Sequence, residues 1–192
     1  AVTVTEGIHA LAKWLESEVC PHIKLKVPSN ERQTAAYDYQ LANPSVHKMY
    51  APPAKLAQQV NREICPGILV HLVNGRDMPR ESARDLRFRL LLSVWNPGLH
   101  AEDAGADAAP FEANADGWND VWNFMDLLLQ RLRNAEQIGE VLRVKAEEGF
   151  DYKPYQEDGA IIDFYPFYFA ELEFSCAMAQ APPSKYYAEE YL

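Results

Sequence analysis

The sequence is short of cysteine, of long apolar runs and, through its middle, of basic residues. Each shortage removes a class of protein. Cys20, Cys65 and Cys176 are an odd set at wide spacing with no CxxC pair, which argues against a disulfide framework and against a structural zinc site. No apolar run approaches the roughly 20 residues that cross a bilayer. The opening residues, AVTVTEGIHALAKW, lack the basic head and apolar block of a secretory signal. An initial Ala is what a cytosolic chain shows after loss of its initiator Met, so the expected compartment is the cytosol, away from membranes. Between Arg89 and Arg131 there is no Lys or Arg, while Glu102, Asp103, Asp107, Glu112, Asp116, Asp120 and Asp126 lie there. With a net charge of −10, the chain lacks the clustered cations that sequence-independent nucleic-acid binding needs. The acidic stretch reads as a solvated loop, or as a surface that repels or guides a polyanion.

Reaction chemistry is equally sparse. There is no GxSxG, no GxxxxGKS/T, no GxGxxG after an expected strand, and no HExxH. His9, His22, His47, His71 and His100 never pair at metal-ligand spacing. Glu171 and Glu173 form a same-face carboxylate pair on an expected strand, but such acids more often belong to a solvated sheet face than to general acid–base work. Nothing marks Cys65, just before Pro66, as an activated thiol. The sequence therefore gives no positive reason to expect an enzyme, a metal or a cofactor.

What is present is periodicity. At 192 residues and 48% hydrophobic, the chain can bury one sizeable core. A single domain over residues 1–180 is expected, with 181–192 as a tail that is mobile or docked on a neighbour. The strongest pattern is GWNDVWNFMDLLLQRLR, residues 117–133, where Trp118, Val121, Trp122, Met125, Leu128, Leu129 and Leu132 recur at steps of three and four. That spacing predicts an amphipathic helix. Phe124 and Leu127 fall on a second flank with Asp120 and Arg131, either buried under the acidic loop or offered to a partner chain. A first helix opens with the capping-box spacing Thr3-x-x-Glu6 and carries Ile8, Leu11, Ala12, Leu15 and Val19 to Cys20-Pro21.

Strands are predicted where the period changes to two. IKLKV, residues 23–27, alternates apolar residues with lysines and suits a place near an edge. Residues 28–53 form a long excursion with strand-like pairing around Tyr37 to Leu41. A short helix from Pro53 carries Leu56, Val60 and Ile64. GILVHLV follows as an apolar strand in which His71 reads as a hydrogen-bonded core or interface residue. Residues 74–85 are polar, holding Arg76, Arg80 and Arg84 among Asp77, Glu81 and Asp85, and read as a hairpin connection with a long tip. In residues 86–95, Leu86, Phe88, Leu90, Leu92 and Val94 share one face, and Arg87, Arg89, Leu91, Ser93 and Trp95 the other. Residues 101–116 connect to the long helix. After a turn near Gly139, Leu142, Val144 and Ala146 mark a strand, and residues 149–159 are turn-rich. The last strand puts Tyr168, Ala170, Leu172, Phe174, Cys176 and Met178 on one face, opposite Glu171 and Glu173. The predicted fold is α+β, a mainly antiparallel sheet with two longer helices packed on one face.

Three segments taken together, CPGILVHLVNG, then LRFRLLLSVW with GWNDVWNFMDLLLQRLR, then YPFYFAELEFS, resemble the tail terminator or tail-completion proteins of long-tailed phages and prophages. The likeness spans roughly residues 60–175 and describes a fold, not an active site. It implies an α+β subunit that assembles with copies of itself into a ring, usually six-fold. The ring caps the tail tube protein, meets the head connector protein and lets DNA pass. The implied location is the virion, with assembly in the bacterial cytoplasm. Residues 28–53 and 101–116 do not match the family pattern. A head–tail connector or stopper is the nearest alternative, and a small hydrolase or ligand-binding domain using the Tyr-rich 28–53 loop is one of another class. A closed ring needs two different surfaces per subunit. Candidates are Phe124 with Leu127, Leu91 with Trp95, and Tyr37 with Tyr39. Arg76, Arg80, Arg84, Glu102, Asp103 and Asp107 are candidate lumen or loop charges, acidic walls being those that do not hold a passing polyanion.

Overall fold

The computed structural model describes residues 3–28, 40–50, 65–100, 111–161 and 164–179. In chain order, α1 (Val4–Glu18) leads to β1 (Leu25–Lys26), β2 (Leu41–Ala42) and β3 (Ser45–Lys48). Next come β4 (Gly67–Met78), β5 (Ala83–Trp95), β6 (Gly98–His100), β7 (Phe111–Ala113) and α2 (Trp118–Arg133). The chain then forms β8 (Gln137–Ile138), β9 (Leu142–Val144), β10 (Asp151–Pro154), β11 (Gln156–Glu157), β12 (Ala160–Ile161) and β13 (Phe167–Ala179). The main sheet runs β3-β4-β5-β13-β9-β8, with β10 also pairing β13. Every pair in it is antiparallel except β3 with β4. The fold is α+β.

Period-two alternation decides which side of this sheet is core. On β5, Leu86, Phe88, Leu90, Leu92 and Val94 are buried, and on β13, Ala170, Leu172, Phe174, Cys176 and Met178. The two rows are in register, Leu90 opposite Leu172 and Phe88 opposite Phe174. Both helices pack on this face: Leu11, Ala12 and Leu15 of α1 and six residues of α2 belong to the same buried cluster. Each such Leu or Phe contributes about 1.5–3 kcal/mol through removal from water. α1 starts where expected, with Thr3 accepting from the Glu6 N–H while the Thr3 N–H donates to the Glu6 carboxylate at 2.6 Å. Gly7 lets α1 approach the sheet, since a Cβ there would stand 3.3 Å from both Leu86 and Leu142.

α2 corrects the expected stripe. Its buried residues are Val121, Phe124, Met125, Leu128, Leu129 and Leu132. Phe124 is 0% exposed, so it is no subunit contact. Leu127 is half-buried against the same core. The reason is the width of the buried arc: a helix lying across a sheet covers more than a narrow seam, and the arc from Phe124 to Leu129 is rotated away from the tryptophans. Trp122 is half-buried and meets Tyr152 edge-on, while Trp118, before the first buried position, is 51% exposed.

Polar composition misleads twice more. Residues 74–85 are no long tip: β4 and β5 stay paired out to Met78 opposite Ala83, and the turn is Pro79–Glu81 with Ser82 in the left-handed region at φ 51°. The ladder carries a bulge between Leu72 and Asn74. Beyond it residues 73–77 are exposed, so polarity there reflects solvent on both faces of a strand. Residues 149–159 likewise contain β10, paired to β13 from Asp151 opposite Glu173 to Pro154 opposite Ala170. Ala146 leaves the strand and opens a short 3-10 turn. Of the 28–53 excursion, Leu41 and Ala42 pair with β1, and β3 follows as an unexpected parallel strand. Tyr37, Tyr39, the helix expected from Pro53, Glu102, Asp103, Asp107 and the tail lie outside the described residues. No described helix is long and apolar enough to cross a membrane.

Candidate functional site

The same alternation that fills the core leaves the opposite sheet face with a lattice of charges. Cross-strand register sets His71, Arg89, Glu173 and Asp151 in one row, and Leu69, Leu91, Glu171 and Lys153 in the next. Arg87 and Ser175 stand opposite each other one row further on. Neither α1 nor α2 lies on this side.

Charge alternates across neighbouring strands, so each ion meets its opposite. Arg87 donates to Glu173 at 3.0 Å, to Asp151 at 2.9 Å and to the Ser175 hydroxyl at 3.2 Å. Arg89 donates twice to Glu173 Oε1, at 2.9 and 2.7 Å, and lies 3.8 Å from Glu171. Lys153 Nζ is 3.3 Å from the other oxygen of Glu171. Lys145 closes the series, bridging Asp85 at 3.0 Å and Glu148. Burial would raise the Glu173 carboxyl, but hydrogen bonds from Arg89 and Arg87 outweigh it and hold the group below the usual carboxylate range. Glu171 is buried at 7% exposure. A concavity of about 230 Å³ opens here between Arg87, Asp151, Tyr152, Lys153, Glu171 and Glu173. Glu171 lies between cations of the strands on either side and Glu173 takes both its arginines from β5, an arrangement that ties β5, β13 and β10 together.

The lattice gives way to aromatics towards Trp95. Phe169 stacks parallel to Phe167, and Phe164 meets Phe169 edge-on with ring centroids 5.3 Å apart. Tyr155 touches both Phe164 and Phe169. Tyr165 donates its hydroxyl to the Pro97 carbonyl at 2.6 Å, tying the start of β13 to the end of β5. Trp95 was expected on an outer, partner-facing surface. It is 1% exposed, buried with Cys65 against Phe167: cross-strand pairing with Phe167 and cover from Cys65 remove it from any surface.

Of the other sequence candidates, Leu91 is half-buried on the charged face. Arg76 and Arg80 are exposed on the β4–β5 hairpin, and Arg84 is held by Asp77 across the ladder. His71 is half-buried beside Arg89, and His47 is buried with its Nε2 3.1 Å from Ser45 Oγ. Burial pushes the Cys20 thiol up to about 12, helped by the charge of Glu16, and burial does the same to Cys176. Among the described residues no cluster of His, Cys, Asp or Glu is placed to hold a metal ion.

Arg87, Arg89, Glu171 and Glu173 stand out in the sequence, but nothing local joins the arginines to the acids. The signal was there, as two basic residues and two acids each spaced by two. Missing was the partner strand β10, whose Pro154 and flanking glycines read as turn. The family models and curated proteins compared with this chain give no match.

Proposed function

We propose that the chain is a structural assembly subunit of the tail terminator kind, which forms a ring with copies of itself at the end of a tail tube, in the virion. The carrying observation is the distal half of the β4–β5 hairpin. Residues 74–77 stand exposed while each is still paired with β5 beyond the bulge, and a paired, rigid, solvent-facing hairpin is a device for reaching a neighbour. A second, different surface is available on the charged and aromatic sheet face, and heterologous contacts between two unlike surfaces are what close rings. The sequence likeness of residues 60–175 to tail terminators supplies the tube as partner. The interlocked carboxylates favour this over a catalytic reading, because both are committed to strand pairing.

Light scattering and negative-stain imaging test the proposal. Oligomers in solution, and rings seated on purified tail tubes, are the expected results. A chain that stays monomeric at high concentration and decorates no tubes overturns it. Binding to filled heads in place of tubes replaces it with a connector or stopper.

A further inference from the structure

Among the described residues, β4 has a strand on its outer edge only as far as Val70, where β3 ends opposite it. Beyond the bulge, Asn74, Gly75, Arg76 and Asp77 are exposed. At the other side of the same sheet, β10 pairs inward with β13, while Asp151, Tyr152 and Lys153 are exposed. An exposed strand edge is a template for another strand unless it is blocked. Among the described residues, the block on β10 is Pro154, which has no N–H to offer.

The two edges fit each other. Strands β4 and β10 run in opposite directions within one sheet, since β4, β5, β13 and β10 are successively antiparallel. Repeating the subunit by rotation therefore brings β10 of one copy antiparallel to β4 of the next. Asn74 and Arg76 share the charged face with Arg87 and Asp85, and Gly75 is on the helix side with Leu86. On β10, Asp151 and Lys153 share the charged face with Glu173 and Glu171, and Tyr152 is on the helix side with Leu172.

We propose that residues 74–76 of β4 pair with residues 151–153 of β10 in a second copy of this chain, Arg76 opposite Asp151, Gly75 opposite Tyr152 and Asn74 opposite Lys153. The pairing joins opposite charges and extends the charge lattice from one subunit into the next. It lays the 52% exposed ring of Tyr152 over a glycine, the cross-strand arrangement by which an aromatic shields a bare edge glycine. Trp122, already edge-on to Tyr152, then flanks the junction, a residue type enriched where interfaces are strongest. The geometry also permits closure. Asp151 is level with Arg89 on β5, whereas Arg76 is level with Asp85, so the sheet steps by one residue per strand across β4, β5, β13 and β10. That stagger corresponds to a strand tilt of about 35°, within the range at which sheets close on themselves. The contact rests on the assembly reading for its biological setting, but it specifies which edges meet.

The test is a cysteine pair. In the Arg76→Cys, Asp151→Cys double variant, oxidation is expected to give covalent ladders beyond the dimer, and neither single variant does so. The native cysteines are buried and stay silent. Independently, Arg76→Asp is expected to weaken self-association about tenfold, with recovery on adding Asp151→Arg. Oligomers that form without the 76–151 crosslink overturn this contact and leave the assembly reading standing. Crosslinked ladders that never seat on tail tubes establish the contact and overturn the tail reading. A strict monomer, with or without tubes, overturns both.

Discussion

β5 and β13 present two faces built by one alternation, and the faces do opposite work. Towards the helices, Phe88, Leu90, Leu92, Leu172 and Phe174 are 0% exposed and pack in one cluster with Phe124 and Leu128. Away from them, Arg87, Arg89, Glu171 and Glu173 neutralise one another in partial contact with water. The first face supplies most of the folding free energy, because apolar burial scales with area and the entropy cost of ordering a side chain is smaller than its transfer gain. Ion pairs at this depth recover little beyond their desolvation cost. What they fix is register: each strand slipped by one residue would bring its charges to the apolar side. Stability and pairing specificity are thus assigned to opposite sides of the same strands.

The core side carries the largest expected effect. Phe124→Ala is expected to cost about 3–5 kcal/mol in chemical denaturation, the range for emptying a buried aromatic site. A loss under about 1 kcal/mol would return Phe124 to the surface. Thr3→Ala removes one half of the capping box and is expected to cost about 1 kcal/mol, read as an earlier urea midpoint with an unchanged slope. On the charged side, Glu173→Gln is expected to cost about 1 kcal/mol or less after solvent screening, and its signature is pH. The folded carboxyl is held below its ordinary 4.5, so the unfolded chain takes up the proton first. The stabilisation is full above that value and is lost as pH falls through the folded one. Wild type should therefore lose stability more steeply on acidification than Glu173→Gln, and parallel curves would sink the assignment. Smallest of all, Arg143→Ala breaks an exposed pair with Glu147 at 3.4 Å and should shift stability by under about 0.5 kcal/mol.

Legibility followed the periodicity. The faces of residues 86–95 and 168–178 were readable because half-buried strands must alternate, and the α1 start because capping needs a particular side chain at a particular spacing. Residues 74–78 and 151–154 look like turns in the sequence because both strands face water on two sides there, which removes the apolar signal and leaves only turn-like composition. β3 was unreadable since a parallel pairing carries no local hairpin signal. The charge lattice was half visible: its residues stood out, but Arg87 and Arg89 donate to groups 64 to 88 positions away in the chain.

By itself, then, the sequence determined the α+β class, the apolar side of the two long strands, the capped first helix and the place of α2, since each follows from local spacing. Tertiary structure alone decided that Phe124 and Trp95 are buried, that Glu171 and Glu173 are tied to Arg87, Arg89 and Lys153, and that residues 74–77 of β4 and 151–153 of β10 are exposed. Those are facts of which strands lie side by side, and strand order is set by contacts between segments far apart in the chain, which no window of neighbouring residues contains.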